Sequence, residues 1–203
     1  MRKLFIVLLA GFMNLTIANT AQAENYILDT EGTHVFIQFK IKHLGFSWLY
    51  GQFNKFDGEF SYDESNSSYS KINVEIDVAS LDSNHAKRDK HLRGDEFLDV
   101  KKYPTATFTS SSFEELGDNK AILKGDFTLH GVTKNITIDV EHIGHGSDPW
   151  GGYRRGFYGT TSIKPAEYGI KGMDKLGPHS EDLFLELSIE GIRQAPKFGA
   201  PGK

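Results

Sequence analysis

The feature that most limits how this chain can fold is the alternation of apolar and polar residues over short segments. In the clearest segment, residues 72–78, every second side chain is Ile or Val and those between them are mostly polar. Alternate side chains of a β-strand point to opposite faces, so this spacing predicts a strand with one buried face. The other segments predicted as strands are residues 34–43, 46–62, 106–108, 121–129, 136–142, 156–164 and 183–189.

Eight strands joined mostly by short turns favour an all-β fold, either a closed up-and-down antiparallel barrel or a sandwich. One connection, residues 82–104, is longer and is predicted as a helical crossover, with Asp82 or Ser83 as the N-cap and Pro104 as the stop. Residues 165–181 are rich in Gly and Pro and show no clear period. We therefore expect one domain of eight antiparallel strands with a single helical crossover.

The first residues of the chain have the composition of a cleavable secretory signal. Two basic residues precede a short apolar run at 4–12, and Ala-Gln-Ala at 21–23 provides small residues for cleavage. We expect residues 1–23 to be a signal peptide, followed by a barrel domain over 24–192 and a flexible C-terminal tail over 193–203. The chain has no Cys, so packing alone must stabilise the exported domain, which suits the bacterial periplasm.

Charge and motif content exclude several classes of function. The formal net charge is -4, and removal of Arg2 and Lys3 with the signal changes it to -6. Proteins that bind nucleic acids favour basic surfaces, so this balance argues against a nucleic-acid partner. Common catalytic motifs are missing, and the spacing of the eight His residues matches no common metal site. We expect no cofactor, no metal and no catalytic residue.

His43 differs from the other His residues because it continues the apolar face of the strand predicted over 34–43. An imidazole at this position would lie inside the barrel or at its rim. Two interpretations stay open. The side chain is either a hydrogen-bonded core His or a polar contact for the head group of a ligand.

Three Arg residues join His43 as candidates for contact with a ligand head group. Arg88 lies in the predicted helix, where ordinary pairing along the helix face is the alternative. Arg154 and Arg155 lie in a Gly-rich loop over 144–156. This loop is either a mobile hairpin connection or a rim with arginines available to an anionic group.

Phe, Ile, Leu and Val dominate the faces predicted to point into the barrel. An eight-stranded barrel is either filled by such side chains or holds one small ligand. Gly51, Gly58 and Gly125 on the inward face favour some empty volume. The residues predicted to line a ligand cavity are Ile37, Phe39, Ile41, Leu49, Phe53, Phe60, Ile72, Val74, Ile76, Leu123, Phe127, Ile138 and Leu185.

Several blocks of sequence resemble the YceI-like family of secreted bacterial proteins and occur in the same order as in that family. The blocks are Tyr26-Ile-Leu-Asp29, HVFIQFKIKHLG from residue 34, GQFNKFDGEF from 51, RDKHLRGDEFLDVKKYPTATF from 88 and GDFTLHGVTKNITI from 125. The resemblance extends from about Tyr26 to Ile192. One departure is Pro165-Ala166-Glu167-Tyr168-Gly169-Ile170, where many relatives carry a charged residue followed by Asp-Phe-Gly-Ile.

The resemblance implies a lipocalin-like antiparallel barrel with an elongated apolar cavity and no catalytic activity. It implies a periplasmic protein that binds a long isoprenoid, of the polyprenyl or quinone type, or a similar amphiphilic lipid. Some relatives form homodimers. Some YceI-like domains occur with membrane redox proteins of the cytochrome b561 type.

Three functions therefore compete. The first is a periplasmic protein that carries or sequesters a lipid in its barrel. The second is a non-catalytic interaction barrel that acts through an exposed aromatic patch formed by Phe46, Trp48 and Tyr50, unless the helical crossover, the loop of Trp150 or a dimer partner covers them. The third is a lipid-modifying enzyme with His43 as its base.

Overall fold

The computed structural model describes residues 23–195. All of the predicted signal peptide except Ala23, and all but the start of the predicted tail, lie outside these residues, so both stay predictions. Within the described part, no helix has the length and apolar character that crossing a bilayer would require.

The described domain is built from β-strands with little helix. The strands are β1 (Glu24–Leu28), β2 (Phe36–His43), β3 (Ser47–Phe53), β4 (Phe56–Tyr62), β5 (Lys71–Asp77), β6 (Leu81–Asp82), β7 (Thr105–Gly117), β8 (Lys120–Leu129), β9 (Val132–Ser147), β10 (Tyr153–Ile163) and β11 (Leu183–Arg193). The helix α1 covers Ala86–Leu92. Short 3₁₀ helices cover Ser67–Tyr69, Val78–Ser80, Pro165–Tyr168, Lys171–Leu176 and Pro178–Ser180.

Eight of the strands close into one antiparallel barrel, in the order β1, β4, β5, β7, β8, β9, β10 and β11. The ring closes because β11 also pairs with β1, where Tyr26 lies opposite Arg193. The predicted all-β fold with an eight-stranded antiparallel barrel is therefore confirmed, and the sandwich alternative is wrong.

The three remaining strands extend the barrel wall at one end. β2 pairs with the first half of β11, β3 pairs with β2, and the last two residues of β3 pair with β6. Along the chain, short connections join β2 to β1, β3 to β4 and β6 to β5. The three strands therefore continue the wall that β1, β4 and β5 form. We call the end formed by the β2–β3 hairpin the mouth end, and the end that holds Glu24 and Arg193 the far end.

The single strand predicted over 46–62 is divided into β3 and β4 by Asn54 and Lys55. The backbone amide of Asn54 donates to the carbonyl of Ser80 at 3.2 Å, and the amide of Asp77 donates to the carbonyl of Lys55 at 3.0 Å. Hydrogen bonds to the neighbouring segment therefore stabilise the break, although Asn54 and Lys55 are themselves exposed.

The helical crossover is present, but its helix begins later than the sequence predicts. His85 is the N-cap of α1, and its Nδ1 accepts a hydrogen bond from the backbone amide of Arg88 at 3.2 Å. Asp82 belongs to β6. Ser83 donates its backbone amide to the buried carboxylate of Asp89 at 3.0 Å, which fixes α1 to the end of β6.

The barrel also extends past the boundary predicted at residue 192. β11 continues to Arg193, and the amide of Gln194 donates to the carbonyl of Asn25 at 2.7 Å. Nη1 of Arg193 lies 2.7 Å from Oε1 of Glu24. Arg193 is therefore part of the sheet and not of a flexible tail.

Candidate functional site

The barrel interior contains two adjoining cavities. The inner cavity lies in the middle of the barrel and measures about 110 Å³, and the outer cavity lies at the mouth end and measures about 330 Å³. Four boundary residues border both cavities, namely Phe53, Ile76, Phe127 and Leu185. Because these four side chains line both, the two cavities lie next to each other along the barrel and together give an elongated interior.

The wall of the inner cavity is almost entirely apolar. Among the described residues that border it, the polar side chains are Ser61, Tyr62, Ser70 and Thr161, and none carries a formal charge. Such a wall gives a hydrocarbon chain about 0.8 kcal/mol for each CH₂ group removed from water. It offers nothing that could pair with a charged head group, so it suits the tail of an amphiphile.

The outer cavity combines an apolar interior with a basic border. The basic residues that border it are Lys42, His43, Arg88, His91 and Lys175, and no Asp or Glu of the described chain does so. Glu96 lies just behind the border, where it pairs with His91 and Lys175. A polar or anionic head group at this end would meet positive charge.

Two connections between strands complete the outer cavity, and sequence reasoning missed their contribution. The crossover supplies Leu92, Phe97 and Leu98, and residues 165–181 supply Ile170 and Met173, among others. Neither segment shows a regular period, so no pattern assigned these side chains to a face. Pairs of apolar residues in otherwise polar runs, such as Phe97-Leu98, were the available signal.

All thirteen side chains predicted to line a cavity do border this interior. Those at the inner cavity are Ile37, Phe60, Ile72, Val74, Leu123 and Ile138. Those at the outer cavity are Phe39, Ile41 and Leu49, and the remaining four are the boundary residues. That these residues contact a ligand stays a prediction.

The inward glycines do not provide the empty volume that the sequence suggests. A Cβ atom on Gly51 would lie 2.2 Å from Cζ of Phe39, and one on Gly125 would lie 2.5 Å from Cζ of Phe108. A Cβ atom on Gly58 would lie 2.7 Å from a backbone carbonyl oxygen. These glycines make room for neighbouring rings and strands, and the cavities come from the spacing of larger side chains.

The four head-group candidates separate into two pairs at opposite ends of the barrel. His43 and Arg88 border the outer cavity at the mouth end. His43 is exposed, so the interpretation as a buried core His is wrong. Nε of Arg88 donates to Oγ of Ser83 at 2.8 Å and its Nη2 donates to the Ser83 carbonyl, so much of this guanidinium serves the crossover.

Arg154 lies at the far end, in a cluster of carboxylates outside the barrel. Its Nη1 donates to Asp29 and Glu190, and its Nε donates to Asp148 at 2.8 Å. Ligand atoms of Asp29, His34 and Glu190 lie within 4.8 Å of one another, a spacing that could suit a metal ion. The guanidinium already supplies positive charge to both carboxylates, so the cluster does not call for a metal.

Arg155 points into the barrel at the far end and is 1 % exposed. Its guanidinium carbon lies 4.1 Å from the centre of the Tyr62 ring, and the guanidinium donates to Glu64 and to Nε2 of His142 at 3.3 Å. Burial, followed by the charge of Arg155, lowers the pKa of His142, which keeps this imidazole neutral and able to accept the bond.

A layer of three rings separates Arg155 from the inner cavity. The centre of the Tyr62 ring lies 6.1 Å from that of Phe113 and 5.8 Å from that of Phe157. All three rings border the inner cavity on one side and the polar far end on the other. Arg154 and Arg155 are therefore remote from the outer cavity, and the structure does not bring the four candidates together.

The predicted aromatic patch lies on the outside of the mouth end. Phe46 is 86 % exposed, and Tyr50 is also exposed. Trp48 packs edge-to-face on Phe184, with ring centres 5.6 Å apart. Trp150 lies at the opposite end of the barrel and is itself exposed, so the prediction that its loop covers the patch is wrong.

Comparison with known proteins places the whole domain in one family. The family model described as "YceI-like domain" matches residues 26–191. A UPF0312 protein of Pseudomonas aeruginosa is 53% identical over 194 residues, which cover 96% of this chain and 100% of that protein.

Solved structures share the fold. The crystal structure of the Campylobacter jejuni YceI protein is similar with a TM-score of 0.67 and 30% identity, covering 77% of this chain and 91% of that one. A structure described as a polyisoprenoid binding domain from Saccharophagus degradans has a TM-score of 0.61 and 15% identity, covering 85% of this chain and 100% of that one. At that identity the likeness shows the fold alone.

Proposed function

The chain belongs to the YceI-like family, and from this membership and its apolar interior we propose that it is a periplasmic protein that carries or sequesters a long isoprenoid or a similar amphiphilic lipid. The observation that carries the proposal is the elongated interior, with an uncharged inner cavity that adjoins an outer cavity with a basic border. This order of surfaces matches a molecule with a long apolar tail and a polar head.

Support for the ligand class comes from the fold relative in Saccharophagus degradans, which is described as a polyisoprenoid binding domain. In our proposal the tail occupies the inner cavity and the head group remains at the mouth end, near His43 and Arg88. Arg154 and Arg155 take no part in binding, because their partners at the far end already satisfy them. The periplasmic location is supported by the predicted signal peptide.

Binding without catalysis agrees best with the chemistry of the outer cavity. His43 is the only catalytic base that the sequence suggests. A general base of this kind works best when a carboxylate or carbonyl orients it, and no described Asp or Glu borders this cavity. A homodimer and a membrane redox partner of the cytochrome b561 type rest on the family resemblance alone and form no part of the proposal.

Native mass spectrometry of the protein purified without added ligand tests the proposal. We expect one equivalent of a lipid to co-purify, and we expect organic extraction followed by mass spectrometry to identify an isoprenoid or similar amphiphile. A second sample, unfolded and refolded without lipid, should bind an added long-chain polyprenol. Failure of the refolded protein to bind it would contradict the proposal, and turnover of the bound lipid would favour the enzyme instead.

A further inference from the structure

The turn between β2 and β3 presents apolar side chains to solvent at the mouth end. Leu44 and Gly45 adopt positive φ angles of 53° and 82°, which makes the connection tight and brings the next residue to the tip of the hairpin. Phe46 at this tip is 86 % exposed and Leu44 is 43 % exposed. Exposing two large apolar side chains at one tip is costly for a surface that meets only water.

The outer face of the same hairpin combines aromatic rings with lysines. Trp48 lies opposite Lys42 and Tyr50 lies opposite Lys40 in the pairing of β2 with β3. The ammonium groups of Lys40 and Lys42 lie 5.7 Å and 5.6 Å from the centre of the Trp48 ring. Trp, Tyr and Lys are the residues that favour the boundary between lipid head groups and hydrocarbon.

The hairpin is also part of the cavity wall, since Lys42, His43 and Leu49 border the outer cavity. Contacts made by its tip would therefore lie beside the opening. The crossover next to the opening is basic as well, because residues 83–104 contain six Lys or Arg and four Asp or Glu, although the chain as a whole is acidic. The residues 165–182 beside it contain two Lys against four Asp or Glu, so the positive charge is confined to the border of the cavity, where Lys42, Arg88 and Lys175 lie.

From these observations we propose that the β2–β3 hairpin docks on a lipid bilayer with anionic head groups. Leu44 and Phe46 enter the head-group region, Trp48 and Tyr50 lie at its boundary, and the basic residues meet the anionic lipids. The proposal deepens the proposed function, on which it rests for its purpose, because docking brings the cavity opening to the place where a lipid leaves or enters a membrane.

A second copy of this chain suits the patch less well. In a two-fold dimer the same patch meets itself, so the basic opening of one copy would face that of the other. Juxtaposed like charges oppose association, whereas an anionic bilayer complements them. The bilayer is therefore the partner that satisfies both the apolar tip and its charged surroundings.

Flotation with vesicles of phosphatidylethanolamine and phosphatidylglycerol tests the docking. Replacing Phe46 with Ala should lower vesicle binding by about tenfold, as expected when the burial of one large apolar side chain is lost. Because Phe46 is exposed, the substitution should leave thermal unfolding unchanged. Lys42→Gln should weaken binding to these vesicles several-fold and have little effect on phosphatidylcholine vesicles.

Trp150→Ala is a matched control, since Trp150 is 76 % exposed at the far end. It should bind vesicles as the unsubstituted protein does. The chain contains two Trp residues, so this variant also leaves Trp48 as the sole indole. We expect the fluorescence of Trp48 in this variant to shift to shorter wavelength when anionic vesicles are added, because the indole enters a less polar environment.

Absence of vesicle binding, or equal binding by Phe46→Ala and Trp150→Ala, would overturn the proposal. Light scattering that shows a dimer converted to a monomer by Phe46→Ala, with no vesicle binding, would identify the hairpin as a self-association surface and overturn it too. Polyprenol binding in solution separates the docking proposal from the carrier function. Phe46→Ala should retain it, and a protein that docks on vesicles but never binds polyprenol would contradict only the carrier function.

Discussion

At the residue scale, the carboxylate of Asp29 joins the connection between β1 and β2 to β10. It accepts hydrogen bonds from the backbone amide of Gly32 at 2.9 Å, from Nδ1 of His34 at 2.8 Å and from Arg154 on β10. Desolvation raises the pKa of Asp29, but the hydrogen bonds from His34, Arg154 and Gly32 outweigh it and hold the pKa at about 2. The ionised form is therefore the one that stabilises the fold.

Asp29→Asn should lower the free energy of unfolding at neutral pH by about 2 kcal/mol, because the folded pKa lies below the ordinary value of 3.8. The unfolded state binds more protons in this range, so the contribution is complete above pH 3.8 and declines as the pH falls towards 2. Urea denaturation at a series of pH values should show a shallower acid decline for the variant. The exposed Asp57→Asn serves as control, and an equal acid decline in Asp29→Asn and the unsubstituted protein would contradict this role.

The sequence could identify the arginines but not their directions. Arg154 and Arg155 must point to opposite faces if they lie in a strand, yet the predicted strand began only at 156, so they were assigned to a loop. In the structure β10 begins at Tyr153, so both arginines belong to the strand. Arg155 is buried inside the barrel, and Arg154 lies outside it. An error of a few residues in the predicted start of a strand is enough to miss which of two neighbouring side chains points inward.

The burial of Tyr168 is a second feature that the sequence pattern does not predict. Tyr168 is 1 % exposed, and its hydroxyl is among the buried polar atoms without a hydrogen-bond partner in the described chain. Its ring packs against Phe127, with ring centres 5.8 Å apart. Only the packing shows that this hydroxyl is buried.

At the scale of elements, the strands were predictable and the covering segments were not. The alternation of apolar and polar residues predicted which side chains of β2, β5 and β8 point inward. A strand with one buried face can pair in only one register without exposing its apolar side chains. The crossover contains a helix of only seven residues, Ala86–Leu92, which is too short to show a reliable period. Polar contacts hold it as well, among them the one between Asp89 and Ser83 and the bond from Arg93 to the carbonyl of Leu81.

Asp89→Ala should remove this contact and leave the backbone amide of Ser83 buried without a partner. The expected loss is about 2–3 kcal/mol in the free energy of unfolding, the usual effect of deleting a buried charged acceptor. Hydrogen exchange should increase in residues 83–104 and stay slow in β8. Asp95→Ala, at an exposed position in the same segment, should change stability by less than about 0.5 kcal/mol. Similar losses in both variants would show that Asp89 does not anchor the crossover.

At the scale of the whole molecule, the sequence predicted the closed barrel but could not decide whether it was filled. An interior volume is the small difference between the space that eight strands enclose and the summed volume of the inward side chains, and periodicity measures neither. The glycines illustrate the difficulty, since each inward glycine can mark empty space or a closely packed neighbour. Here they mark neighbours.

Leu185→Phe should narrow the boundary between the two cavities, because Leu185 borders both. A prenol short enough for the outer cavity should still bind, whereas a long-chain polyprenol should lose about tenfold or more as part of its tail is excluded from the inner cavity. Titration of refolded, lipid-free protein with both compounds measures the effect. Ser188→Phe places the same ring on the exposed face of β11 and should change neither affinity. Equal losses for short and long compounds would contradict a tail that spans both cavities.

The pairing of β1 with β11 has a consequence for how this domain can be connected to others. Glu24 and Arg193 are neighbours at the far end, a full barrel length from the opening. A short peptide could join these two positions, and new ends could be made at the Asp118-Asn119 turn, to give a circular permutant with the same interior. The two ends of the domain thus lie at the far end, and the ligand enters at the mouth end. A second domain fused at the far end would therefore leave the cavity opening unobstructed.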